Sequence, residues 1–139
     1  MADAVCFKGL ALLEESDELY VPLMRLGTCL FVSVPERLRD SQARSLQESI
    51  AQRLSLEKSI RGLIIDVSTL AIVDSYAAKV LGDTAAIARS FGSKAVLVGI
   101  RPAVAVTLVD LGIDLAHVET ALTLELALKK LKLRIVSDE

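Results

Sequence analysis

Between Gly62 and Gly92 an aliphatic run gives way to a helical stripe, and this succession limits the fold more than any other part of the chain. Leu63, Ile64, Ile65, Asp66 and Val67 follow Gly62 without a polar alternation. Such a short, nearly continuous run is the pattern of a strand covered on at least one face by helices. A few residues later Ala77, Val80, Leu81, Thr84, Ile87, Ala88 and Phe91 fall at offsets 0, 3, 4, 7, 10, 11 and 14. That spacing predicts a helix of about four turns, ended by Gly92. A buried strand feeding an amphipathic helix is the unit of an α/β fold.

The flanking sequence extends the alternation. Tyr20 to Leu26 and Cys29 to Val34 are apolar stretches separated only by Gly27 and Thr28, which leaves no room for a crossover helix and predicts an antiparallel hairpin. From Pro35 the period changes: Ala43, Leu46, Ile50, Ala51 and Leu54 share one helical face, while Arg44, Glu48, Gln52 and Arg53 lie largely on the other. Ala95 to Val98 reads as the next strand. Pro102 opens a shorter helix through Val104, Leu108 and Leu111 to Gly112. His117, Val118 and Glu119 suit a brief last strand, and Leu124, Ala127, Leu128 and Leu131 mark a terminal helix. The expected order is β β α β α β α β α, with one mixed sheet, parallel after its hairpin through right-handed crossovers.

Residues 1–18 show no sustained periodicity and carry Glu14, Glu15, Asp17 and Glu18, so they are expected to form an arm outside the core. The domain proper is expected to span 19–134, with 135–139 as a tail. A single domain of 139 residues buries roughly two-thirds of its unfolded surface and folds without staples. Aromatic residues make up only 4% of the chain against 53% hydrophobic overall, so the core must be aliphatic.

The net charge of −2 and the lack of a basic stripe argue against nucleic acid. No apolar run approaches the roughly 18 residues of a spanning helix, and no secretory signal stands at the N-terminus. The chain is therefore expected in the cytoplasm, away from membranes. Cys6 and Cys29 form no ligand spacing with His117, and free thiols are the simpler reading.

Enzymatic signatures are missing. There is no GxGxxG, Walker loop, HExxH or GxSxG, and one histidine leaves acid–base chemistry short of its usual agent. Asp66 and Asp74 raise the alternative of a divalent-metal phosphoacceptor site, but oxygen-ligand sites gather more carboxylates or carbonyls. A strand-end Asp and a helix-capping Asp are the expectation, with no metal and no cofactor. Another alternative is a small-molecule-binding α/β domain, which requires a sizeable apolar pocket. Ser75 follows Asp74 and lies in the first turn of the long helix, where capping explains both residues from position alone. A helix N-terminus also favours an anion, so a phosphate on Ser75 is compatible with the fold.

The stretch Gly62 to Glu119 resembles the core of STAS-domain anti-sigma-factor antagonists, and more narrowly the RsbS-type proteins of the bacterial stressosome. The matching segments are DVSTLAIVDSYAAKVLGDTA from Asp66 to Ala85, GIRPAVAVTLVDLGID from Gly99 to Asp114, and Val118 to Leu124. The first is the specific one, because an Asp-Ser dipeptide opening a helix after an aliphatic strand is that family's phosphoacceptor signature. The resemblance covers nearly everything after residue 19 and implies the SpoIIAA-like STAS fold. It implies a phosphorylation-switched scaffold and antagonist, not a catalyst. Ser75 would accept the phosphate, with Asp74, Tyr76 and Asp66 near the switch as partner-binding residues. The implied partners are an RsbT-type serine kinase, RsbR-type paralogues, a serine phosphatase that resets Ser75, and further copies of the chain. RsbR-type paralogues also carry a phosphothreonine on the motif that holds Thr107, but a threonine bonded to its own helix backbone is the preferred reading there. The short N-terminal arm favours RsbS over RsbR.

Overall fold

The computed structural model describes residues 21–71, 73–112 and 118–138, with side chains as far as Lys132. Two short strands, β1 (Leu23–Leu26) and β2 (Cys29–Ser33), pair antiparallel around Gly27 and Thr28, with Leu26 opposite Cys29. Helix α1 (Asp40–Leu56) follows, then β3 (Gly62–Asp66), α2 (Ser75–Ser90), β4 (Lys94–Val98), α3 (Pro102–Asp110), β5 (Glu119–Ala121) and α4 (Leu124–Asp138). The strands form one mixed sheet in the order β1-β2-β3-β4-β5, antiparallel in the hairpin and parallel beyond it. Element order and strand directions are those expected.

Both faces of the sheet are covered. Leu30, Val32, Leu63, Ile65 and Leu97 join residues of α1, α2 and α3 in the larger apolar cluster. Ile64, Val96 and Val98 face the other way and meet Ala127 and Leu131 of α4. Leu63, Ile64 and Ile65 have no exposed surface, and each contributes about 1.5–3 kcal/mol of burial. An unalternating run is what a strand buried on two sides requires.

Local signals set the helix starts. In α1 the Gln42 side chain accepts from the Arg39 backbone N–H at 3.0 Å, which satisfies one donor at the helix start. Pro102 stands in the first turn of α3 as expected.

Several boundaries differ from the periodicity. The buried face of α2 takes in Ala78 and Ala85, whereas Phe91 is the C-cap and 45% exposed. This helix packs on both the sheet and α1, so its buried face is wider than one stripe, and Phe91 lies past its last turn. Leu111 is likewise a C-cap and exposed. The last strand is displaced two residues, because Glu119 and Ala121 take the register positions opposite Val96 and Val98. Val118 is half-buried, and His117 lies outside the described residues. So do Tyr20 and the arm at 1–18. Helix α4 continues to Asp138, past the boundary drawn at 134.

Candidate functional site

The C-terminal ends of β3 and β4 carry the residues that the sequence singled out. Asp66 closes β3, and its Oδ1 accepts the Ser68 N–H at 2.9 Å, turning the chain out of the sheet. The Val67 N–H donates to the Val98 carbonyl at 2.9 Å and the Ala71 N–H to the Glu36 carbonyl at 3.2 Å. Leu70 is fully buried in the larger core. The loop is therefore anchored at Val67, Leu70 and Ala71.

Asp74 is the N-cap of α2, with extended backbone, and its Oδ1 accepts the Ala77 N–H at 2.8 Å. Its carbonyl accepts the Ala78 N–H at 3.0 Å. Ser75 is the first helical residue and is exposed, as is Tyr76 beside it. The i−4 carbonyls of Ser75 and Tyr76 lie before the helix, so neither N–H has a partner within it. One turn on, Lys79 Nζ pairs with Asp83 Oδ2 at 3.0 Å.

A second loop leans against the first. Gly99 directly follows β4 with φ +76, and a Cβ built there would lie 2.8 Å from Ser68 Cβ and 3.3 Å from Ser68 Cα. Only glycine lets the two loops approach so closely. Arg101 then donates from Nε to the Ser68 carbonyl at 3.1 Å. The sequence reading missed this Ser68, Gly99 and Arg101 contact. Gly99 standing three residues before the proline that opens the next helix was its one signal.

Asp66 and Asp74 thus serve different partners, Asp66 its own turn and Asp74 the helix. Among the described residues no group of three or more His, Cys, Asp or Glu is placed to hold a metal ion. Thr107 donates from Oγ1 to the Ala103 carbonyl at 2.9 Å, the backbone bond of an ordinary helix threonine. Cys29 is a buried free thiol, and burial pushes its pKa up. Two open grooves flank α4, about 430 Å³ beside Ile100, Leu122 and Leu126, and about 570 Å³ beside Leu26, Cys29 and Leu128. Neither is lined by Asp74, Ser75 or Tyr76. Among the described residues no helix is long and apolar enough to cross a membrane.

Residues 20–127 match the STAS domain family. The chain belongs to that family. The chain is 38% identical over 84 residues to the uncharacterized protein YezB of Bacillus subtilis, covering 60% of this chain and 86% of YezB. It is 33% identical over 121 residues to RsbRD of the same organism, a protein named as an RsbT co-antagonist. That match covers 83% of this chain but only 41% of RsbRD. Among solved STAS structures, RsbS from Moorella thermoacetica, in a serine-to-glutamate variant, is 36% identical with a TM-score of 0.73 and covers 81% of this chain and 96% of that one. A chain from the stressosome, described as a signal integration and transduction hub, is also 36% identical with a TM-score of 0.73, covering 80% of this chain and 96% of that one. These relatives place the protein among the antagonist and stressosome STAS domains, and the mixed five-stranded sheet with four helices among the described residues is their fold.

Proposed function

We propose that this STAS domain is a phosphorylation-switched scaffold whose phosphoacceptor is Ser75. With Ser75 bare, the chain co-assembles with RsbR-type paralogues and with its own copies in the cytoplasm, and the assembly holds an RsbT-type serine kinase. Phosphate on Ser75 releases the kinase to start a stress response, and a serine phosphatase restores the bare hydroxyl. The chain works by binding, not by catalysis.

The observation that carries this reading is the placement of Ser75: exposed, first in α2 and directly after a capping aspartate, in a chain 36% identical to RsbS. A phosphate there adds a charge of about −1.5 to −2. It meets the two N–H groups of Ser75 and Tyr76 that lack helical acceptors, so the helix tolerates it. At a docking surface the same charge, beside Asp74, opposes association through repulsion and desolvation. Asp66 shapes the loop that delivers this helix start, and exposed Tyr76 offers the partner an aromatic contact. Thr107, with its hydroxyl bonded to Ala103, is expected to stay unmodified.

The test is incubation with an RsbT-type kinase and ATP, followed by mass-spectrometric site mapping. One phosphate on Ser75, abolished in Ser75→Ala, is expected. Undiminished labelling in Ser75→Ala would overturn the assignment.

A further inference from the structure

We propose that a phosphate on Ser75 draws Lys79 away from Asp83, so that one modification changes the charge along two turns of α2. This rests on Ser75 being the phosphoacceptor. Ser75, Lys79 and Asp83 are spaced by four residues on one continuous helix. They lie on its outer face, opposite Ala77, Ala78, Leu81, Ala85 and Ala88 of the buried one. Lys79 stands midway, with a neighbour at i−4 and another at i+4, and side chains at that spacing are within reach.

With Ser75 bare the hydroxyl offers no charge, and Lys79 pairs with Asp83 at 3.0 Å. Both side chains are well exposed, at 73% and 52%, so little packing holds the pair in place. The pair also has the weaker polarity, since an acid N-terminal to its lysine is the favoured order along a helix. A phosphate at position 75 reverses each disadvantage. It is N-terminal to Lys79, it carries up to twice the charge of a carboxylate, and it sits at the positive end of the helix dipole. Lys79 therefore swings toward the first turn. Asp83 is left as a free carboxylate, eight residues and about 12 Å along the axis from the new phosphate. A partner docked along α2 meets two changed charges, not one.

Asp74 caps the first turn, and helix α1, which packs against α2, carries the exposed charged residues Asp40, Arg44 and Glu48. Arg44 is exposed one turn before Gln47, whose Nε2 reaches the Val80 carbonyl and Thr84 Oγ1 of α2 at 3.4 Å. Arg44 lies on α1 and not on the Ser75–Lys79–Asp83 line of α2, so Arg44→Gln is the control.

The experiment installs phosphoserine at position 75 during translation, without any kinase, and follows the second ionisation of the phosphate by phosphorus NMR. Lys79 favours the dianion, so Lys79→Gln is expected to raise that pKa by about 0.3 units. Lys79→Arg should keep it low, and Asp83→Asn, which removes the competing carboxylate, should lower it further. An unchanged pKa in Lys79→Gln, or a larger shift in Arg44→Gln, overturns the exchange of partners. A kinase that never modifies Ser75 would remove the functional reading while leaving this titration fully interpretable.

Discussion

Replacing Gly99 by alanine imposes two separable costs. With φ at +76, the backbone lies where a Cβ is disfavoured, which costs about 1 kcal/mol. The added Cβ would also stand 2.8 Å from Ser68 Cβ and 3.3 Å from Ser68 Cα. The second contact is with backbone, which cannot rotate away. Relief requires the two loops to separate, stretching the 3.1 Å Arg101 to Ser68 bond and the 2.9 Å bond from Ser68 to Asp66. Each is worth about 1 kcal/mol net, so the total loss comes to about 3 kcal/mol. Gly92 supplies the comparison, because its φ is +83 but nothing lies within 4 Å of a Cβ there. Gly92→Ala should cost only the backbone term, about 1 kcal/mol. Urea unfolding of both variants, extrapolated linearly to water, measures the difference. Adding Ser68→Gly to Gly99→Ala should recover part of the loss, because it removes the 2.8 Å contact. Equal destabilisation by Gly99→Ala and Gly92→Ala would refute the argument that the two loops are locked together.

Asp74→Ala removes the cap on the Ala77 N–H and should cost about 1 kcal/mol in urea unfolding, whereas Ser75→Ala should change stability by less than about 0.5 kcal/mol. Leu131 is buried against the sheet by α4, and Leu131→Ala should cost about 2–4 kcal/mol by the same measurement. Arg53, then Arg25, hold the Glu57 carboxyl below the usual carboxylate range, against a smaller upward push from desolvation. Because the folded value is the lower one, this contribution is present above about pH 4.3 and disappears as pH falls through the folded value. Unfolding free energies from pH 6 to pH 3 should therefore fall less steeply in Glu57→Gln than in the parent.

Much of the architecture was legible because the chain is locally consistent. Gly27 and Thr28 leave space only for a turn, and the run Leu63 to Ile65 signals a strand covered on at least one face, so hairpin, central strand and α2 follow from short-range pattern. Periodicity failed where the environment has more than one side. It could not show that Ala78 and Ala85 would be buried, since that depends on α2 packing on both the sheet and α1, nor that Phe91 and Leu111 would stay exposed as C-caps past the last turns of their helices. It also misplaced the last strand, whose position is set by pairing with Val96 and Val98 more than by its own residues. At the site, the capping role of Asp74 was readable from its place before an apolar stripe. The contact of Ser68 with Gly99 and Arg101 was not, because it joins residues about thirty positions apart. Nor does capping geometry distinguish a switch from an ordinary helix start, and for Ser75 the likeness to RsbS supplies that part of the reading.

The most direct test of the account is the affinity of an RsbT-type kinase for this chain with Ser75 bare and with phosphoserine at position 75, compared at equal Tm. The account predicts binding weaker by about tenfold or more, or at least about 1.4 kcal/mol, once the phosphate is present. Equal affinity of the two forms, with the phosphorylated one fully folded, would contradict it.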